Sequence, residues 1–189
     1  MKKILVALLI ITFFNSCSDN KKDAIQNSYF DLSTFMNSEI EKLYQHQLSV
    51  LKTAIVNGES EQHRYPAINW KREFESFYAA DIYKTSLNEK YMVDTLVHST
   101  DSSKTFIIRY VAKEEELKTR VIEVYFDAQK NVTSIKVEMF TKNFVAVLSE
   151  SLLYYPGKFY RIANQEESRW FGNAEFVIEG QIEKWKPEE

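Results

Sequence analysis

The chain has 189 residues, 44% hydrophobic, 27% charged and 14% aromatic, with 13 Phe, 11 Tyr and 3 Trp against four Gly and three Pro. Disorder is excluded for most of that length, because there is ample apolar surface to bury, and the size fits one domain. A net charge of -3 excludes a protein that grips nucleic acid by neutralising phosphates. The single Cys excludes a disulfide framework and any multi-cysteine metal site.

The first element is an address. Met1-Lys2-Lys3 is a cationic start, Ile4 to Phe14 is an apolar run, and Asn15-Ser16-Cys17 closes it, which is the three-part pattern of a secretory signal. The run is shorter than the roughly 20 apolar residues that a membrane-spanning helix needs. These residues alone allow an ordinary secretory signal, an uncleaved anchor or a lipid attachment point. The stretch Phe14-Asn15-Ser16-Cys17, followed by the polar residues Ser18 to Asp23, resembles the lipobox of bacterial lipoproteins cut by signal peptidase II. Phe14 stands where Leu is common, and Asn15 where a small apolar residue is common. The resemblance implies removal of residues 1–16 and a mature N-terminus at Cys17, carrying S-diacylglyceryl and N-acyl (palmitate-type) groups. At about 0.8 kcal/mol per buried methylene, two or more such chains hold a protein on a membrane stably. In that family an Asp directly after the Cys favours the inner membrane in some bacteria; Ser18 in that place implies an outer-membrane address, with the side faced left open.

Residues 17–28 follow as the lipidated Cys and a polar, aperiodic tether, and residues 29–189 as a single α+β domain. Asp31 or Ser33 caps the next predicted helix. Met36, Ile40, Tyr44, Leu48, Leu51 and Ile55 recur at helical spacing, which predicts one long helix ended by Asn57-Gly58. Asn69 caps a second helix with Trp70, Phe74, Phe77 and Tyr78 on one side. The connector from Ala80 to Tyr91 loosely resembles that of small uncharacterised envelope lipoproteins with N-terminal helices and a C-terminal sheet, a resemblance that brings no activity with it.

From Tyr91 the apolar period becomes two. Phe106, Ile108 and Tyr110 share one face, as do Ile122, Val124 and Phe126, and Ile135, Val137 and Met139; Arg109, Glu123, Lys136 and Glu138 take the other. Asp127 to Asn131 and Tyr155-Pro156-Gly157-Lys158 read as hairpin turns. Without helical crossovers, about seven strands form an antiparallel meander with both helices packed on one face. Its twist allows a half-barrel.

The residues that could carry chemistry are scattered. His46, His63 and His98 lack metal-ligand spacing, and Glu114-Glu115-Glu116, Glu166-Glu167 and Glu188-Glu189 read as solvated charge runs. No nucleophile elbow, phosphate loop, dinucleotide fingerprint or calcium loop occurs. The expectation is therefore no catalytic residue, no metal and no cofactor. The aromatic cluster Tyr154, Tyr155, Phe159, Tyr160, Trp170 and Phe171 reads first as core filling and second as a binding surface. The expected function is a membrane-anchored, non-catalytic structural or interaction module with an unknown envelope partner. The alternatives are a carrier of a small apolar ligand or lipid between helices and sheet, and an enzyme whose site forms only in the fold.

Overall fold

A computed structural model describes residues 29–87, 89–99, 104–170 and 172–184. The signal, Cys17 and the tether lie outside these residues. Among the described residues, helix α1 (Leu32–Gln45) comes first. Asp31 caps it, accepting the Thr34 N–H at 2.8 Å, and Leu32, Met36, Ile40 and Leu43 form its buried stripe. It stops at His46, and Gln47 has a left-handed backbone.

The long helix expected through Ile55 is corrected here. Strand β1 (Leu48–Val56) and strand β2 (Glu59–Tyr65) form a hairpin on Asn57-Gly58. Both turn residues have positive φ, 49° and 90°, the geometry of the two-residue turn that Asn-Gly favours. Val50, Thr53, Ile55 and Val56 are β-branched and favour the strand. The coincidental spacing of Leu48, Leu51 and Ile55 yields to these two signals.

The second predicted helix is two short ones, α2 (Trp70–Glu73) and α3 (Glu75–Ala79), separated at Phe74. Asn69 caps the first, accepting the Arg72 N–H at 3.1 Å. Trp70, Phe74 and Phe77 are buried. Strands β3 (Tyr91–Ser99), β4 (Lys104–Ala112), β5 (Thr119–Phe126), β6 (Val132–Lys142), β7 (Ala146–Tyr155), β8 (Phe159–Ser168) and β9 (Gly172–Lys184) then run as an antiparallel meander.

The protein is thus α+β, dominated among the described residues by one antiparallel sheet of nine strands in the order β2-β1-β9-β8-β7-β6-β5-β4-β3. The expected seven are β3 to β9; the hairpin β1–β2 adds two by pairing β1 with β9. The expected block of two N-terminal helices is also corrected, since the hairpin separates α1 from the short helices. Cross-strand registers line Tyr110, Ile122, Val137, Leu152, Ile162 and Ile178 up across six strands. This row meets the buried residues of α1, α2 and α3 in one core. The opposite face carries the row Asp94, Arg109, Glu123 and Lys136, in which Arg109 pairs with Glu123 at 3.3 Å.

Two turns show how sequence sets register. The Asp127 carboxylate accepts the Gln129 and Asn131 N–H groups at 2.9 and 2.8 Å and the Asn131 side-chain amide at 3.0 Å. These bonds favour the charged form and lower its pKa. At the β7–β8 turn Gly157 supplies a φ of 64°.

Candidate functional site: an open edge and a polar groove

The core beneath the helices is built from tyrosines whose rings fill space and whose hydroxyls meet buried polar groups. Tyr154 and Tyr160 face each other across β7 and β8, and the Phe74 ring stands edge-on to both, at 5.4 and 5.2 Å. Tyr154 donates to Glu39 of α1 at 3.1 Å, and Glu39 also takes Lys42 at 2.6 Å. Tyr160 lies across Gly180 and donates to Glu73 at 2.6 Å. Glu73 in turn holds Lys52 of β1 at 2.8 Å. Burial raises the pKa of both tyrosines, with the Glu39 charge as the next cause for Tyr154 and the Glu73 hydrogen bond for Tyr160.

Beside this network, an open groove of about 540 Å³ lies between α2, α3 and strands β1, β8 and β9. Lys52, Arg72, Glu73 and Glu75 are among its polar lining, and Ile162 and Phe176 are apolar. Asn164 also lines it, and its buried Oδ1 has no hydrogen-bond partner among the described residues. On the other face a second open groove of about 670 Å³ runs over Ser151 and Ala163 between Arg120, Phe140, Arg161 and Glu175. Arg120 lies over the Phe140 ring at 5.3 Å.

The two edges of the sheet differ in chemistry. Every residue of β2 is exposed, and Glu59, Glu61, His63 and Arg64 give that edge charge of both signs. Edge charge discourages pairing with another chain. On β3, Met92, Val93, Leu96 and Val97 are 43 to 54% exposed, with Asp94 the only charged residue among residues 92–97. Tyr91 anchors this strand: its hydroxyl donates to the Thr119 carbonyl at 2.9 Å, and its ring stands edge-on to Tyr29 at 5.9 Å. Tyr29 meets Tyr110 in the same way at 5.8 Å. Burial, and then the neighbouring Tyr29, push the Tyr91 hydroxyl up to about 12.

The aromatic cluster, read first as core filling and second as a binding surface, separates in the fold. Tyr154 and Tyr160 are fully buried in the core and so lie outside any surface. Tyr155 and Phe159 pair across the β7–β8 turn, on the opposite face, 6.4 Å apart. Trp170 is exposed at the far end of the sheet, 5.8 Å from Phe144, and Arg169 lies over the Phe144 ring at 5.1 Å. Phe171 lies outside the described residues, as does the lipobox with Cys17.

The remaining chemistry-bearing residues do not converge. His46 is exposed beyond α1, and His63 is 3.0 Å from Glu61 on β2. Of His98 only the backbone, at the end of β3, is described. Glu114 pairs with Lys90 at 3.1 Å, Glu115 and Glu116 lie in the β4–β5 turn, and Glu166 and Glu167 lie on β8. Glu188 and Glu189 are outside the described residues. Among the described residues no cluster of three or more His, Cys, Asp or Glu could hold a metal ion. No helix there is long and apolar enough to cross a membrane.

Sequence reasoning missed the β3 edge. The run Met92-Val93-Asp94-Thr95-Leu96-Val97 is apolar in adjacent pairs, which place side chains on both faces, and that departure from alternation was the available signal. No family model, curated protein or solved structure matches the chain.

Proposed function

We propose that this protein is a lipid-anchored lipoprotein of the cell envelope, at the outer membrane, whose body is a non-catalytic interaction module. The observation that carries the reading is the β3 edge, where Met92, Val93, Leu96 and Val97 are exposed and Asp94 is the only charged residue among residues 92–97, in contrast to the charged edge β2. A half-barrel curl of the sheet around the helices belongs to the same reading. The carrier alternative is weaker on physical grounds. An acyl chain gains free energy only by replacing water with apolar contacts. The helix–sheet interior is filled by Trp70, Phe74, Phe77, Tyr154 and Tyr160, and the groove beside it presents Lys52, Arg72, Glu73 and Glu75.

Two measurements test the two halves of the proposal. Cys17→Ala removes the sulfur that takes the diacylglyceryl group, so labelled palmitate incorporation is expected to disappear and the chain to leave the lipoprotein fraction. Unchanged labelling would overturn the anchor. A photoreactive residue in place of Leu96, illuminated in host cells, is expected to give an adduct of discrete mass, whereas the same probe at Glu61 on β2 gives none. Absence of an adduct at position 96 would overturn the interaction module.

A further inference from the structure

We infer that the tips of the β6–β7 and β8–β9 hairpins, which carry Phe144, Val145 and Trp170, dip into the surface of the membrane that holds the Cys17 lipid; this rests on the anchor reading above and gives the body a fixed face toward the lipid. The strand registers make these two hairpins protrude. Thr119, the first residue of β5, pairs with Met139, and β6 runs on to Lys142 before it turns. Val56, the last residue of β1, pairs with Phe176, whereas β9 begins earlier, at Gly172. Strands β7 and β8 fill the space between, Ala146 pairing with Ser168 and Ser168 with Gly172. At about 3.4 Å per residue, both tips stand roughly 10–15 Å beyond the ends of β5 and β1. They are also tied to each other. The Arg169 N–H donates to the Val145 carbonyl at 3.1 Å, and the Phe144 and Trp170 rings meet at 5.8 Å. Within the first tip, the Asn143 side chain accepts the Val145 and Ala146 N–H groups at 2.8 and 2.9 Å.

Side-chain chemistry and the course of the chain both point to lipid as the occupant. Phe144 is 73% exposed, Trp170 58% and Val145 42%, and aromatic rings presented in this way suit the boundary between lipid and water. Flanking the tips, the cations Lys142 and Arg169 are matched by Glu166 and Glu167. Lys142, Arg169 and Glu167 line an open groove of about 350 Å³ between the two turns, where the phosphate and the ammonium of a zwitterionic headgroup each meet a charge of opposite sign. The charged β4–β5 turn with Glu114, Glu115 and Glu116 stays back, because the Lys118 carbonyl accepts the Phe140 N–H at 2.8 Å, at the base of the first hairpin. Tyr29 packs on Tyr91, the first residue of β3, which pairs with Ala112 at the end of β4. Tyr29 therefore lies at the same rim of the sheet as the tips. Three strand spacings of about 4.8 Å from β3 to β6, and the run from Met139 to Phe144 at about 3.4 Å per residue, make a path of about 32 Å. The segment from Cys17 to Tyr29 reaches up to roughly 40 Å, so the lipid on Cys17 can enter the membrane in which the tips sit. The opposite rim, a strand length farther from Tyr29, presents the polar turn Asp127 to Asn131.

The test uses the full chain with one added thiol, the Cys17 sulfur being taken up in the lipid linkage. Val145→Cys places it at a tip and Gln129→Cys on the opposite rim, both exposed positions. Each variant is purified from host membranes and added to preformed vesicles of phosphatidylethanolamine and phosphatidylglycerol, and each is also made with Cys17→Ala as a lipid-free reference. A charged maleimide that does not cross membranes then reports which thiol faces water. On vesicles the reaction of Val145→Cys is expected to slow at least about tenfold against its reference, as for a tip free of lipid about a tenth of the time, while Gln129→Cys reacts alike in both. Adding Phe144→Ser and Trp170→Ser, again at exposed positions, is expected to restore the rate at 145 with an unchanged circular dichroism spectrum. A rate at 145 that vesicles leave unchanged overturns the inference, and so does equal slowing at 145 and 129. Slow reaction at 145 already in the lipid-free reference shows that protein, such as a second copy, covers the tips, and overturns it too. Palmitate labelling separates this inference from its foundation: a labelled chain with both thiols in water leaves the anchor standing without the tips, and absent labelling overturns both.

Discussion

Replacing the hydrogen of Gly180 with a methyl group is the sharpest test of how the core is built. Tyr160, Gly180 and Lys52 stand in one cross-strand row, and the missing side chain at Gly180 is the slot in which the Tyr160 ring lies. A Cβ there would sit 2.5 Å from the Tyr160 hydroxyl oxygen and closer still to ring atoms Cε1 and Cζ. The ring belongs to a fully buried residue packed against Phe74, so Gly180→Ala forces either strain or displacement of the hydroxyl from Glu73. Overpacking costs about 1–3 kcal/mol, and a lost hydrogen bond to a charged group about 1.5–3 kcal/mol. Against these, Ala recovers about 0.5–1 kcal/mol of strand preference over Gly. The net expectation is a loss of about 0.5–2.5 kcal/mol, which lowers the melting temperature by roughly 1–10 °C for a domain of this size. Urea and thermal unfolding followed by circular dichroism measure it. The companion variant Tyr160→Ala removes the obstacle, so adding Gly180→Ala to it should cost nothing further. A Gly180→Ala cost below about 0.5 kcal/mol, the range of inconsequential surface changes, or one that persists in the Tyr160→Ala background, would refute the slot.

Other expectations follow from the same geometry. Tyr160→Phe keeps the ring and deletes the donor to Glu73, and should cost about 1–3 kcal/mol in urea unfolding. Gly58→Ala puts a side chain where φ is 90°; the left-handed penalty of roughly 1–2 kcal/mol should appear as an equal loss of stability. Tyr91 holds its proton up to about 12 in the folded protein, whereas an unfolded tyrosine loses it near 10. The folded state therefore binds more protons between those values, and its stability should fall as pH rises from about 10 to 12. Absorbance at the tyrosinate band should show Tyr91 titrating late, and Tyr91→Phe should flatten that part of the pH–stability curve.

The meander was legible because its signals are local and agree. In β4, β5 and β6 the alternation of Tyr110, Ile122, Val124, Ile135 and Val137 against Arg109, Glu123 and Lys136 assigns faces without tertiary information, and Asp127 to Asn131 marks the hairpin by its own hydrogen bonds. The hairpin β1–β2 was not legible as such. Leu48, Leu51 and Ile55 match a helical period, and β2 is polar up to its last residue, Tyr65, so the sequence of β2 lacks the alternation that identifies a strand. It is a strand because β1 gives it a ladder, with support such as the Gln62 amide donating to Thr53 at 2.9 Å and the ion pair of Arg64 with Glu183 two strands away. The pairing of β1 with β9 joins residues more than 100 positions apart, a distance that local patterns do not encode. Of the aromatic cluster, burial of Tyr154 and Tyr160 depends on Gly180 and Phe74 arriving from elsewhere in the chain.

The excess of tyrosine then has a physical reason that bears on the edge. A leucine core would fill the same volume but leave Glu39, Glu73, the Thr119 carbonyl and the Phe30 N–H without their present partners. Tyr154, Tyr160, Tyr91 and Tyr110 meet these four groups, and a buried polar group without a partner costs about 1–3 kcal/mol. Three of the rings, Tyr29, Tyr91 and Tyr110, interlock where β3 begins. One end of the exposed edge is therefore fixed to Tyr29, which precedes α1, and to β4 by rings and hydroxyls together. A strand held in this way presents its outward backbone groups already ordered, so a pairing strand bears less of the entropy cost of forming the ladder. The same anchoring predicts that Tyr29→Ala speeds hydrogen exchange of the Tyr91 amide, whose N–H the Tyr29 hydroxyl accepts at 3.1 Å; equal exchange with and without the Tyr29 ring would show that the edge needs no such support.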